Sequence, residues 1–172
     1  MTSYSVRPAV LSDARAIAEI HVATWRTAYQ GLMPDEHLAA LSVPKREAYW
    51  REAIEYSEPQ VHVALDGATP IGFVGLDRSR DPKSKSTTGE IWALYVTPAH
   101  WGQGAGLALW DAAREAAEEE GFTDLTLWTL LRNERALRFF ELAGFKRELP
   151  SARTIPVGTV RREEIRLRRA LG

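Results

Sequence analysis

Trp92-Ala93-Leu94-Tyr95-Val96-Thr97-Pro98-Ala99-His100-Trp101-Gly102-Gln103-Gly104-Ala105-Gly106 is the stretch that decides the fold. From Ile91 to Val96 it is nearly all apolar, as a strand buried on both faces would be. A turn containing Pro98 follows, and then three glycines at alternate positions open an alanine-rich helix. Glycines at such a junction let the backbone approach a ligand closely, and the free N–H groups of the first helical turn, with the helix dipole, form an anion site. No Lys-Ser/Thr pair follows, so this is not the nucleotide-binding P-loop, and the spacing also fails the G-x-G-x-x-G fingerprint. On its own, the triplet Gly102, Gly104, Gly106 fits an anion cradle and a tight structural turn equally well.

Outward from this junction the pattern stays legible. Gly104 to Glu120 reads as a helix with Leu109, Ala112, Ala113, Ala116 and Ala117 on one stripe, closed by Gly121. Leu125 to Trp128 is a strand, and Asn133 caps a last helix whose Ala136, Phe139, Phe140 and Ala143 face inward. Strands at Phe145–Glu148 and Val160–Leu167 finish the chain. Toward the N-terminus, Val61, Val63 and Leu65 alternate with His62 and Ala64, and Asp66-Gly67 is a hairpin turn into a return strand through Ile71 and Leu76. Residues 79 to 89 are polar throughout and are expected to form a mobile loop. Before them, a first strand lies within Tyr4–Val10, and a helix from Ser12 carries Ala14, Ile17, Ala18, His21 and Trp25 on one stripe. That helix ends near Tyr29, and two shorter ones follow over Pro34–Leu41 and from Pro44 to about Glu55. An antiparallel meander followed by two strand–helix–strand crossovers implies a mixed sheet with helices on both faces.

Composition bounds the function. The chain has 172 residues, 45% of them apolar and 26% charged, which suits one globular domain over residues 1–172. With 22 basic and 23 acidic residues the formal net charge is −1, so nothing marks a polyanion-binding chain. There is no cysteine, which excludes disulfides, thiolate nucleophiles and Cys-ligated metal. Neither a signal pattern nor an apolar run near the ~20 residues of a membrane span is present, so a cytoplasmic protein without a membrane partner is expected.

The segment from Glu90 to Phe145 resembles the GNAT superfamily of N-acetyltransferases. The family's pattern of a strand followed by [Gln/Arg]-x-x-Gly-x-[Gly/Ala] maps onto Trp101-Gly102-Gln103-Gly104-Ala105-Gly106. Its downstream Asn-x-x-Ala-x-x-Phe-Tyr-x-x-x-Gly-Phe maps onto Asn133 through Phe145. The resemblance implies an α/β fold (α+β by some schemes): a mixed, mostly antiparallel, six- to seven-stranded sheet flanked by helices, with splayed central parallel strands. It implies acetyl-CoA as co-substrate, with the pyrophosphate on the loop Trp101–Gly106, Asn133 also in the cofactor site, and pantetheine paired along the backbone of Leu94, Tyr95 and Val96. Trp25, Tyr29, Leu32 and Met33 fall where the family's helix-to-helix loop lines the acceptor pocket, although plain packing accounts for them as well.

Two positions depart from the family pattern. Trp101 replaces the Gln or Arg at the head of the loop, so one side-chain contribution to phosphate binding is missing. Phe140 stands where the family commonly has a Tyr that protonates the leaving thiolate, and a phenyl ring donates nothing. A thiol of pKa ~8.5 nevertheless leaves tolerably near neutral pH.

An alkylammonium of pKa ~10.4 cannot attack a thioester until it loses a proton. Glu90, the acidic residue of its strand, lies eleven residues before Trp101, where several family members carry a catalytic glutamate. It is the expected base, against the plainer reading of a solvated strand end. Strict alternation puts Glu90, Trp92, Leu94 and Val96 on one face. His21 reads as a core histidine before a base, His100 as exposed beside the glycine loop, and His37 and His62 lack metal-ligand spacing, so no metal is expected. The Arg-rich strand Arg161–Arg169 interleaves with Glu163 and Glu164 and reads as a solvated face rather than a nucleic-acid surface. The expected function is acetyl transfer by direct attack of an amine from a small molecule or peptide N-terminus. A catalytically weak CoA-binding regulatory module is the rival, and a homodimer is left open.

Overall fold

A computed structural model describes residues 4–172. The strands are β1 (Ser5–Pro8), β2 (Gln60–Asp66), β3 (Thr69–Arg78), β4 (Thr88–Val96), β5 (Asp124–Leu130), β6 (Lys146–Val157) and β7 (Val160–Ala170). The helices are α1 (Ala14–Ala28), α2 (Asp35–Ala39), α3 (Val43–Tyr56), α4 (Ala105–Glu119) and α5 (Glu134–Leu142). The strands form one seven-stranded sheet in the order β1-β2-β3-β4-β5-β7-β6. All neighbours are antiparallel except β4 and β5, which pair in parallel over Thr88–Glu90 and Asp124–Thr126 alone. Beyond Glu90 and Thr126 the two strands part, and the fork between them is the opening in the sheet.

Each face of the sheet is covered by helices whose apolar spacing fits it. On one face α4 buries Ala105, Leu109, Trp110, Ala113, Ala116 and Ala117 against Val74, Leu76, Ile91 and Val96. Leu109 is fully buried there, and truncating such a residue to alanine costs about 2–5 kcal/mol. On the other face α1 and α3 bring Ile17, Ile20 and Trp50 onto Val61, Phe73 and Ala93. In α5 Leu137 and Phe140 are buried, Phe139 and Ala143 pack partly buried against the same cluster, and Ala136 borders the fork. The predicted stripe thus holds at Phe139, Phe140 and Ala143, and Leu137 is the inward residue it omits.

The structure departs from the sequence reading in three other places. β6 runs on to Val157, well past Glu148, because β7 pairs with it through an irregularity between Glu148 and Arg153. The 79–87 segment is tied down at its start. Arg80 pairs with Glu90, and Asp81 accepts from Trp128 Nε1 at 2.9 Å and from Arg166 Nη1 at 3.2 Å.

The third departure is in β4 itself. Leu76 pairs with Ile91 and Gly75 with Ala93, so Trp92 is an extra residue, a β-bulge. Ile91, Leu94 and Val96 then share the α4 face, while Ala93 and Tyr95 share the α1 face. Strict alternation fails at that point, and Glu90 sits on the face opposite Leu94 and Val96. Among the described residues no helix is long and apolar enough to cross a membrane.

Candidate active site

The fork between β4 and β5 opens into a cleft of about 760 Å3. One wall is the β4 backbone from Ile91 to Val96, the other is Leu127–Thr129 of β5, and α1 contributes Thr24, Ala28 and Tyr29. The start of α4 and the start of α5 form the rim. At the α4 start, Gly102 and Gly104 have φ of +73° and +92°, and open space lies where each side chain would project. An L-residue in that conformation is strained, so glycine keeps the turn and leaves the first-turn N–H groups of α4 bare toward the cleft. Gly106 is needed for a different reason, since a Cβ there would meet the Phe139 ring at 3.2 Å.

The expected cofactor residues divide. Leu94, Tyr95, Val96, Trp101, Gly102, Gly104, Gly106 and Asn133 all line the cleft. The Gln103 side chain is occupied elsewhere: its Oε1 accepts from the Tyr4 hydroxyl at 2.7 Å and its Nε2 donates to Ala99 O. Ala105 is buried under the loop. Val96 O accepts from Thr24 Oγ1 at 3.2 Å and from Trp101 Nε1 at 2.7 Å. Both lone pairs of that carbonyl are used, so an added strand along β4 has Leu94 and Tyr95 to pair with, not Val96 O. Asn133 caps α5, its side chain accepting from Ala136 N at 3.3 Å.

Trp101 does more than leave a gap in the loop. Its indole N–H fixes the loop to the strand end, and the Arg135 guanidinium lies 4.1 Å from its ring centroid. Arg135 and Arg138, one helical turn apart on α5, both line the cleft. The cation absent at position 101 is thus present beside it, a placement the sequence offered only as two basic residues three apart. Trp92 and Trp128 stand on the two strands just beyond the last paired residues, with Arg80 and Arg153 within 4.1 and 3.8 Å of their respective centroids.

Glu90 is 1% exposed and is not on the cleft wall. Its Oε1 accepts from Arg80 N at 2.9 Å and its Oε2 from Arg80 Nη2 at 2.6 Å. Of the expected acceptor-site residues, Tyr29 reaches the cleft, and burial raises its hydroxyl pKa. Trp25, Leu32 and Met33 pack around Tyr29, Leu38, Leu130 and Val157 in a third apolar cluster. Burial likewise raises the Tyr95 hydroxyl, with the neighbouring Trp25 indole, Arg46 and Arg80 opposing. Phe140 lies at the cleft, 7% exposed, edge-on to Phe139 and Phe145. His100 is on the rim, its ring nitrogens engaged with Thr97 Oγ1 at 2.9 Å and Asp66 Oδ2 at 3.4 Å. Among the described residues no three His, Asp or Glu side chains gather as metal ligands would.

The forked sheet has a bare helix start at its mouth, and the sequence matches a known family over most of its length. The acetyltransferase (GNAT) family profile matches residues 16–145. The chain belongs to that family. It is an N-acetyltransferase with acetyl-CoA as its acetyl donor. YuaI of Bacillus subtilis (strain 168), an uncharacterized N-acetyltransferase, is 29% identical over 155 residues, covering 83% of this chain and 87% of its own. In fold the chain is similar to PaiA N-acetyltransferase of Thermoplasma acidophilum, solved with coenzyme A, at a TM-score of 0.79 and 20% identity over 98% of this chain and 99% of that one. It is also similar to YncA, a putative acetyltransferase of Salmonella typhimurium solved with acetyl-CoA, at 0.76 and 20% over 99% and 95%.

Proposed function

We propose that this GNAT acetyltransferase binds acetyl-CoA in the β4–β5 fork and transfers the acetyl group directly to the amine of a small molecule or a peptide N-terminus. The observation that carries the site is the bare start of α4 at the mouth of the cleft. The turn Gly102–Gly106 holds the pyrophosphate on backbone N–H groups, and Arg135 on Trp101 supplies the charge that the loop's head residue lacks. The free β4 edge at Leu94 and Tyr95 receives the pantetheine amides. The acceptor enters from the Tyr29 side.

Transfer needs no covalent enzyme intermediate. The amine lone pair forms the new C–N bond, the C–S bond breaks, and the thiolate leaves unaided past Phe140. Positioning and a backbone donor on the thioester oxygen supply most of the rate. The ammonium proton goes to Glu90 through water. Arg80 occupies one lone-pair site on each Glu90 oxygen, so a second site on each is left to accept from water. The chain acts as one catalytic domain in the cytoplasm without a nucleic-acid partner, and a homodimer is its proposed assembly.

The test couples free-thiol release with a panel of amines to calorimetric titration of acetyl-CoA. Arg135→Ala should weaken acetyl-CoA binding about tenfold, and more steeply at low salt, as loss of one charge-assisted phosphate contact predicts. Unchanged affinity in the folded variant would remove Arg135 from the cofactor site.

A further inference from the structure

Beside the cleft, next to the Tyr95 hydroxyl, lie three hydrogen-bond donors that make no hydrogen bond among the described residues. His21 is 5% exposed, and its Nδ1 accepts from Trp50 Nε1 at 3.1 Å. An indole nitrogen only donates, so that contact fixes the tautomer and puts the imidazole proton on Nε2. His21 Nε2 is buried with no partner, and so is Trp25 Nε1. The two rings are 5.2 Å apart, and the Tyr95 hydroxyl beside them falls short of a bond to Trp25. The third donor is Arg46, half-buried, its guanidinium 5.9 Å from the Trp25 centroid and without an ion pair or hydrogen bond among the described residues. The charges that bear on His21, Tyr49 and Tyr95 come from Arg46 and Arg80, and Arg80 already has Glu90.

Buried polar groups in folded proteins almost always find partners, so two orphan donors beside an uncompensated cation need an explanation. A single water would answer the two neutral N–H groups, and bulk water hydrates the exposed part of Arg46, but neither gives the guanidinium a counter-charge. An oxyanion answers all three. His21, Trp25 and Ala28 lie on one face of α1, and that face meets the cleft at Thr24, Ala28 and Tyr29. The aromatic surroundings (Trp50, Phe73, Tyr95) make each polar contact there worth more than in water.

We infer that the acceptor amine carries an anionic oxygen group, a carboxylate, received by Arg46 together with the N–H groups of His21 and Trp25. This rests on the acetyl-transfer reading above and narrows its acceptor to amino acids over simple amines.

The experiment follows thiol release from acetyl-CoA with α-, β- and γ-amino acids, each beside its carboxamide, on the wild-type chain and on Arg46→Gln. The wild type should favour at least one acid over its amide by tenfold or more in kcat/KM. Arg46→Gln should erase that preference through KM and leave the amide rate and acetyl-CoA affinity unchanged. Acids and amides used equally, or both lost in parallel in Arg46→Gln, would overturn the anion site while acetyl transfer stands. If neither kind of acceptor releases thiol, binding decides, read as tryptophan fluorescence quenching with coenzyme A present. Tenfold tighter, Arg46-dependent binding of an acid would then support the site and count against the transfer reading, and equal or absent binding would overturn the site.

Discussion

Glu90 and Arg80 form a pair of unequal partners, and the inequality predicts which substitution does more harm. Glu90 is 1% exposed, whereas the Arg80 side chain is 52% exposed. In Glu90→Gln the amide oxygen still accepts from Arg80 N, and the half-exposed guanidinium returns to water. That change should cost about 1 kcal/mol, since solvent screens most of the lost attraction. Arg80→Ala instead leaves a buried carboxylate with one backbone donor and no counter-charge, at about 3 kcal/mol, the low end for a broken buried pair. Urea titration at pH 8 measures both values. Catalysis should rank the variants the other way, with kcat/KM at neutral pH falling by roughly 10²–10⁴ in Glu90→Gln, the range for loss of a general base. An Arg80→Ala variant as stable as Glu90→Gln would refute the burial argument. A Gln variant within threefold of native activity would reduce Glu90 to the anchor of the 79–87 segment.

Three further outcomes are expected. Gly104→Val, strained at a φ of +92° and projecting toward the cleft mouth, should weaken acetyl-CoA binding at least tenfold by calorimetry while the far-UV dichroism stays native. Phe140→Tyr should leave kcat within about threefold, since the thiolate departs unaided; a gain of about a hundredfold would show that a general acid was wanted there. His21 is held neutral to about pH 3, first by burial and then by the charge of Arg46, while the unfolded chain protonates it below about 6.5. Stability is therefore intact above pH 6.5 and falls on acidification, by ~2 kcal/mol between pH 6.5 and 5, and His21→Phe should flatten that slope in urea titrations.

How much of this was legible in the sequence depends on what each residue answers to. The stripes of α1 and α4 follow from their own apolar spacing, and both helices form within one or two residues of the predicted bounds. The glycine turn was legible too, because positive φ is a local demand that only certain residues meet. The bulge at Trp92 was not, since it exists only in the pairing of β4 with β3 and leaves no mark on β4 alone. The second half of β6 was missed for a related reason. It is an edge strand, mostly exposed and carrying Pro150 and Pro156, so it shows neither alternation nor β-rich composition. At the site, Arg135 over Trp101 and Arg46 beside Trp25 were invisible because each pairing joins elements far apart in the chain. The ties from Arg80 and Asp81 were hidden in the same way under a run of polar residues.

The extra residue at Trp92 also dictates where this chain tolerates changes of length. A deletion of Trp92 itself would restore strict alternation and leave every other β4 side chain on its present face, whereas a deletion at Ala93 to Tyr95 that also removed the bulge would exchange the faces of the residues between it and Trp92. Deleting Tyr95, for instance, would take Leu94 off the α4 side, while Glu90 and Val96 would stay on the faces they have. An insertion there, with the bulge kept, would instead carry one end of the strand to the other layer. The segment 82–86, past the contacts of Asp81 with Trp128 and Arg166, bears on neither layer and has room for residues to be gained or lost. Related chains should accordingly vary in length on the far side of Asp81 and, between Glu90 and Val96, lose no residue except the one at Trp92.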